Sequence, residues 1–174
     1  MTLTSVFGLP QSLDQQSLKE NCSIYPQESI QINGVMDIAK GFDIILFSAE
    51  KTLMLDGKTL PAGAVVVPAL RKKGKKLAVF SLDETLSRDA LTQQVNYLGM
   101  SFAPSRILLG NDVDDLTNLF PFAIKNRILM VCSDLMTEVT YGNQLGYTTL
   151  LIRPPHSDPC NKLGIDAHYV AMSV

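Results

Sequence analysis

The sequence predicts an α/β fold built on a doubly wound, mostly parallel, Rossmann-like sheet. Short apolar runs alternate with segments of helical length through most of the chain. The apolar runs are nearly continuous, which is typical of strands that are buried on both faces of a parallel sheet. Strands and helices in this order indicate parallel strands joined by crossover helices, so we expect helices on both faces.

Six apolar runs are predicted to be strands, at residues 43–47, 76–80, 106–109, 127–132, 148–152 and 168–171. Four helices are predicted between them, at residues 62–73, 87–98, 112–124 and 137–145, because most open with a capping residue and three end near a glycine. Residues 1–35 have weak periodicity and are expected to be a weakly structured lead-in. Residues 36–174 are then the core domain.

Length and composition exclude several classes of protein. A chain of 174 residues fits one domain of ordinary size. It is 46% hydrophobic with a mean hydropathy of +0.14, yet it has no uncharged run long enough to cross a bilayer. A net charge of −2 gives no general attraction for nucleic acid or anionic membranes, and the short basic cluster at residues 71–76 is expected to be a solvated helix end.

The number and spacing of the cysteines indicate the cellular compartment. Cys22, Cys132 and Cys160 show no metal-ligand spacing, and their odd number argues against a secreted disulfide framework. The first twenty residues contain acids and no basic-then-apolar run, so no signal peptide is visible. We therefore expect a cytoplasmic protein, with export by a route that reads no such signal left open.

Serines follow three of the predicted strands, at the carboxyl ends where sheets of this class carry their chemistry. Ser48 opens the run Ser-Ala-Glu-Lys-Thr, which leads into a segment containing Gly57 and Pro61. Ser81 ends the run that begins Lys-Gly-Lys at residue 73, and Ser133 lies in Val-Cys-Ser-Asp-Leu-Met-Thr-Glu at residues 131–138.

These three segments together resemble the motifs of the haloacid dehalogenase (HAD) superfamily, in particular its NagD-like class II branch. The family's first motif is an apolar strand, Asp-x-Asp-Gly-Thr/Val and a hairpin. Its second motif is a Thr or Ser after a strand, and its last is Val-Gly-Asp-x-x-x-Thr-Asp. The resemblance covers roughly residues 33–174.

The resemblance implies a phosphatase site in which an aspartate attacks phosphorus and Mg²⁺ neutralises charge. The catalytic positions depart from that pattern. The nucleophile's place holds Ser48, the general acid's place holds Glu50, and the hydroxyl of the second motif remains at Ser81. Ser48 has no histidine beside it to act as a base, so we expect these catalytic positions to be an inactive remnant.

The implied metal and phosphate sites are degenerate as well. The metal ligands of the last motif fall on Ser133 and Glu138, with Asp134 one residue past the expected place. Magnesium prefers carboxylate oxygens, so weak or no binding is expected there. Lys125 is the nearest candidate for the family's phosphate-balancing lysine, and together with Ser48 and Ser81 it would form an anion-site remnant.

Two further comparisons with the family pattern concern length and alignment. About fifty residues separate Ser81 from Ser133, which leaves no room for the cap domain of the class II branch. Residues 79–86, Val-Phe-Ser-Leu-Asp-Glu-Thr-Leu, also resemble the first motif of other HAD phosphatases. That alignment leaves too few residues before Val131, and it too puts a serine in place of the nucleophile.

The sequence thus predicts a capless HAD-like domain without phosphohydrolase activity, which acts as a binding, regulatory or assembly module. It would need no cofactor, and its expected partner is another protein or a second copy of the chain. The alternative is a weak or atypical Mg²⁺-dependent phosphatase in which Glu50, Asp134 or Glu138 replaces the missing carboxylates.

Overall fold

The computed structural model describes residues 29–83, 85–153 and 167–174. Within these residues the strands are β1 (Ile30–Gln31), β2 (Ile44–Ser48), β3 (Met54–Leu55), β4 (Lys58–Thr59), β5 (Lys76–Ser81), β6 (Ile107–Leu109), β7 (Ile128–Cys132), β8 (Thr148–Ile152) and β9 (Tyr169–Ala171). The α-helices are α1 (Pro61–Lys72), α2 (Arg88–Val95) and α3 (Thr140–Leu145). A π-helical turn, Leu135–Val139, leads directly into α3.

Seven strands form one sheet in the order β1-β9-β8-β7-β2-β5-β6, and every neighbouring pair is parallel. This confirms the predicted α/β fold with a parallel sheet. Strand β2 lies inside the sheet between β7 and β5, where Ile44 is in register with Ile128 of β7 and with Lys76 of β5. The carboxyl ends of β7, β2 and β5 therefore lie side by side.

The sheet is buried on both faces, as the continuous apolar runs predicted. On one face, Ile45 and Phe47 of β2 pack in a cluster with Val67 of α1 and Leu91 of α2. On the other face, Leu46 packs in a second cluster that includes residues of the π-helical turn and of the segment after β6. Successive strand residues point to opposite faces, so each strand contributes to both clusters.

Strands β3 and β4 form the predicted hairpin. Asp56 and Gly57 at its tip have φ angles of 51° and 77°, the pair of left-handed residues that a tight two-residue turn of this kind requires. Pro61 then begins α1 in the first-turn position that proline favours. The hairpin lies directly after the carboxyl end of β2, beside the predicted catalytic positions.

The predicted helix at residues 112–124 is wrong. A short 3₁₀ turn, Gly110–Asp114, and irregular turns occupy this segment instead. Aspartate side chains take up backbone N–H groups locally: Asp112 accepts from the N–H of Leu109 and Asp115 from the N–H of Thr117. Such bonds compete with the helical hydrogen-bond ladder, and Pro121 breaks it further.

Two other predicted boundaries differ from the structure. The helix expected at residues 137–145 begins earlier, because the π-helical turn starts at Leu135. Strand β1 pairs with β9, so the sheet already includes residues 30–31 of the expected lead-in. Residues 1–28 lie outside the described part of the chain, and the division into lead-in and core stays a prediction.

The described residues between β5 and β7 form α2, β6 and short turns, and they extend the sheet at its β6 edge. No cap domain is inserted in this described stretch, in agreement with the spacing of the motifs. No helix in the described part of the chain is long and apolar enough to span a membrane.

Candidate functional site

The three serines predicted from the motifs lie along the side of the sheet that is formed by the carboxyl ends of its strands, which we call its carboxyl edge. Ser48 is the last residue of β2, Ser81 is the last residue of β5, and Ser133 follows β7 directly. Only two of them are in contact, with 3.4 Å between the Oγ atoms of Ser48 and Ser133. The edge therefore contains a compact pair of hydroxyls and a third hydroxyl one strand away.

A carboxylate joins this pair. The Ser48 hydroxyl donates to Oε2 of Glu138 at 2.8 Å. The backbone N–H and the hydroxyl of Ser133 donate to Oε1 of Glu138 at 2.6 and 3.1 Å. Glu138 belongs to the π-helical turn after β7, which brings its side chain back over the strand end. We call these residues the Ser48–Ser133–Glu138 cluster.

Two members of the cluster are withdrawn from solvent, since Ser48 is 1% exposed and Glu138 is 8% exposed, while Ser133 is half-buried. Burial raises the pKa of Glu138, and nearby Asp134 raises it further, while the hydrogen bonds from Ser133 and Ser48 oppose the shift. Both carboxylate oxygens already accept hydrogen bonds from the protein. A new ligand of Glu138 would therefore compete with internal donors.

The remaining predicted residues on this edge have other local roles. Glu50 is exposed, and its Oε1 accepts from the N–H of Asp56, which ties it to the hairpin. The Ser81 hydroxyl donates to the carbonyl of Asp83 at 3.0 Å in the turn after β5. Asp134 caps the π-helical turn by accepting from the N–H of Thr137. The backbone carbonyl of Glu50 also lies 3.4 Å from Oγ of Ser48, so Glu50 meets the cluster through its main chain.

The structure does not bring Lys125 to this edge. Lys125 begins a 3₁₀ turn that precedes β7, and its side chain lies beside Gly146, which precedes β8. Both residues are therefore at the amino ends of their strands, opposite the edge that carries the serines. We expected Lys125 to share an anion site with Ser48 and Ser81. Because the strands are parallel, a residue that precedes β7 lies at the opposite end of the sheet from the serines, so Lys125 is not part of such a site.

The side chains at the implied metal positions do not fit magnesium. Ser48 and Ser133 offer neutral hydroxyls, and the Glu138 oxygens are taken up by three donors. In the described part of the chain, no group of three or more His, Cys, Asp or Glu side chains is placed to hold a metal ion. Magnesium binds in octahedral sites rich in carboxylate oxygen, and this cluster lacks that donor set.

A cavity of about 420 Å³ adjoins the cluster and was not predicted from the sequence. Ser133 lines it, together with Lys51 from the loop after β2 and Arg153 from the end of β8. The sequence offered one signal for it. Lys51 stands where the family's first motif has glycine. A long cationic side chain therefore replaces a residue without a side chain in the loop after β2.

Comparison with known proteins identifies the architecture. No protein-family model matches the sequence, and no curated protein matches it either. Solved structures do match it. A 4-nitrophenylphosphatase from Thermotoga maritima superposes with a TM-score of 0.67 at 11% identity, over 78% of this chain and 95% of that one. This is the HAD fold.

Other HAD phosphatases agree with this assignment. The 3-deoxy-D-manno-octulosonate 8-phosphate phosphatase of Moraxella catarrhalis, solved with magnesium, phosphate and KDO, has a TM-score of 0.52 at 15% identity, over 79% of this chain and 80% of that one. The cobalt-bound deoxy-D-mannose-octulosonate 8-phosphate phosphatase of Haemophilus influenzae has a TM-score of 0.54 at 12% identity, over 78% and 80%. At these identities the likeness establishes the HAD fold alone, because one fold hosts many activities.

Proposed function

We propose that this HAD-like domain has no phosphohydrolase activity and acts as a binding, regulatory or assembly module. One observation carries the proposal: the hydroxyls of Ser48 and Ser133 both donate to the buried Glu138 carboxylate. The groups at the nucleophile and metal positions satisfy one another. They form a closed hydrogen-bonded cluster in place of an open set of anionic oxygens.

The chemistry of attack supports this proposal. An aspartate nucleophile needs a free carboxylate oxygen directed at phosphorus. Ser48 stands in its place, and the Ser48 hydroxyl donates its proton to Glu138. The Ser48 residue is also almost completely buried. The metal positions are short of carboxylates, so we also propose that the domain works without a metal cofactor.

A second candidate function rests on the same contact. Glu138 has a raised pKa and lies 2.8 Å from the Ser48 hydroxyl, which is the geometry of a nucleophile and its general base. The solved structures that share the fold include phosphatases. The alternative is thus a weak or atypical phosphatase, dependent on Mg²⁺ and on a carboxylate such as Glu138 or Glu50.

Hydrolysis of 4-nitrophenyl phosphate and acetyl phosphate, with and without Mg²⁺, separates the two candidates. We expect the native protein to be silent and the Ser48→Asp, Ser133→Asp double variant to gain Mg²⁺-dependent turnover. Turnover by the native protein that is lost in Glu138→Gln would overturn the proposal and establish the alternative. Glu50→Gln tests the other carboxylate in the same assay.

The partner is proposed to be another protein or a second copy of this chain, acting in the cytoplasm, with no role for nucleic acid or membranes. Multi-angle light scattering over a dilution series tests self-association. A mass of 19.1 kDa at every concentration would remove the second copy and leave a protein partner. A concentration-dependent dimer would favour assembly as the function.

A further inference from the structure

The cavity beside the Ser48–Ser133–Glu138 cluster has largely apolar walls. Its volume of about 420 Å³ is within the range of small-molecule sites. Leu60 and Leu135 line it, as do Leu151 and Ile152 from the end of β8. The hairpin and the residues after β9 complete its walls. The cavity therefore lies at the carboxyl edge of the sheet, where parallel α/β folds place their ligands.

Two apolar side chains of this cavity are unusually exposed. Leu55 is 46% exposed and Met172 is 60% exposed, although both line the same concave surface. Apolar surface that is left in water next to a formed cavity favours an apolar occupant that covers it. These residues come from the hairpin and from the chain after β9, which are distant in sequence, and they line the same cavity.

Lys51 lines this cavity and carries a positive charge, and its backbone is in a conformation that lysine rarely adopts. Its φ angle is 68°, in the left-handed region that disfavours residues with a side chain. The turn holds it there, since the Lys51 N–H donates to the carbonyl of Met54 and the Met54 N–H donates to Ala49. Strain kept at the rim of a cavity points to a role for the side chain.

The electrostatics of the lining favour an anion. Lys51 carries a positive charge, and no described residue that lines the cavity has an acidic side chain. Glu138 touches one lining residue, Ser133, but three donors from the protein take up its charge. Thr52, Ser133 and Ser173 also line the cavity, but the hydroxyls of Thr52 and Ser133 already donate to the carbonyl of Ser48 and to Glu138.

We propose that this cavity binds a small amphiphilic anion, with its charged group at Lys51 and its apolar body against Leu55, Leu135 and Met172. The inference deepens the proposed function and rests on it. If the Ser48–Ser133–Glu138 cluster cannot hydrolyse phosphate esters, the cavity beside it can still bind a ligand. The ligand class is an organic acid with an aliphatic or aromatic body.

Isothermal titration calorimetry with octanoate, octanamide and octylammonium on the native chain tests the ligand class. The three probes share an apolar tail and differ in head-group charge. We expect octanoate to bind, octanamide to bind about fivefold more weakly, and octylammonium to give no measurable heat. Equal affinity for octanoate and octanamide, a preference for octylammonium, or no binding of octanoate would each overturn the proposal.

The Lys51→Gly variant tests the position of the charge without threatening the fold, because glycine accepts the left-handed backbone. We expect its affinity for octanoate to fall about fivefold, to the level of octanamide, while its affinity for octanamide stays unchanged. Lys58→Ala is the matched control, since Lys58 is an exposed cation of the same hairpin that does not line the cavity. An equal loss of octanoate affinity in both variants would contradict a site at Lys51.

Failure of this inference is distinguishable from failure of the proposed function. Mg²⁺-dependent phosphate turnover by the native chain would overturn the proposed function whatever octanoate does. A chain that neither hydrolyses phosphate esters nor binds octanoate would overturn only the ligand class.

Discussion

The hydroxyl of Ser48 donates to Oε2 of Glu138 at 2.8 Å, across ninety residues of sequence. Ser48 ends β2, and Glu138 lies in the π-helical turn after the neighbouring strand β7. The bond satisfies one oxygen of a buried carboxylate, and Ser133 satisfies the other. The hydroxyl of Ser48 therefore acts as an internal hydrogen-bond donor.

Ser48→Ala should destabilise the fold. The substitution removes the donor to Glu138 Oε2 and leaves a buried oxygen with one partner fewer, so we expect a loss of about 1–2 kcal/mol in the free energy of unfolding. Urea unfolding at neutral pH measures it. Ser81→Ala is the control, because the Ser81 hydroxyl bonds only within an exposed turn, and its expected effect is within about 0.5 kcal/mol. Equal losses would contradict a special role for Ser48.

Acidification should weaken the fold through His168. Burial lowers the pKa of this imidazole below its ordinary value of 6.5, and its Nδ1 accepts a hydrogen bond from the N–H of Thr149. A depressed folded-state pKa means that the unfolded chain binds the proton more readily. The stabilisation is therefore present above pH 6.5 and is lost as the pH falls through the folded-state pKa.

Chemical unfolding at a series of pH values down to about 5 measures this dependence. His168→Asn should flatten the slope because it removes the titrating group while keeping an acceptor for Thr149. The other histidine of the chain, His156, lies outside the described residues and supplies the control variant His156→Asn. A slope that survives in His168→Asn would show that another group is responsible.

Gly142→Ala should lower stability because α3 packs very closely on the sheet. A Cβ atom at Gly142 would lie 2.7 Å from Sδ of Met130 and 2.8 Å from Cγ2 of Thr149. Overpacking should outweigh the better helix propensity of alanine, for a net loss of about 1–2 kcal/mol in the free energy of unfolding. Gly41→Ala is the control, since no atom lies within 4 Å of the new Cβ, and thermal unfolding compares the two.

Lys51→Gly should raise stability slightly. The φ angle of 68° strains lysine, and glycine relieves that strain at some cost in unfolded-chain entropy, for an expected net gain of about 0.5 kcal/mol. Lys58→Gly, in β4, removes the same charge from a strand and should be destabilising. Urea midpoints of the two variants measure the difference, and a loss of stability in Lys51→Gly would disprove the strain.

Local patterns in the sequence predicted most of the fold. The runs at residues 76–80 and 148–152 are apolar except at Lys76, Thr148 and Thr149, and such runs become buried parallel strands wherever helices cover both faces. The hairpin followed from the resemblance to the HAD motif, and Asp56 and Gly57 at its tip tolerate the positive φ that its turn requires. The structure of residues 112–124 could not be predicted in this way, because its aspartates bond to nearby backbone groups and the residues that anchor it are distant in sequence.

Tyr141 and Tyr147 are those distant anchors. Their hydroxyls donate to the Asp114 carboxylate and to the carbonyl of Val113, from α3 and from the residue before β8. These two hydrogen bonds cannot be predicted from the pattern of apolar residues within 112–124. The irregular segment packs against the sheet through Leu116 and Phe120. The spacing of these two apolar residues is also typical of a helix, which is why the sequence predicted one.

The sequence alone determined the parallel sheet and the three serine-bearing strand ends, because burial and turn chemistry are properties of neighbouring residues. Only the tertiary structure decided which of those residues meet. Strand order and direction put Ser48 and Ser133 against Glu138 and left Lys125 at the opposite edge. It also joined the hairpin to the ends of β8 and β9 around one cavity, since pairing between strands distant in sequence fixes which side chains share a space.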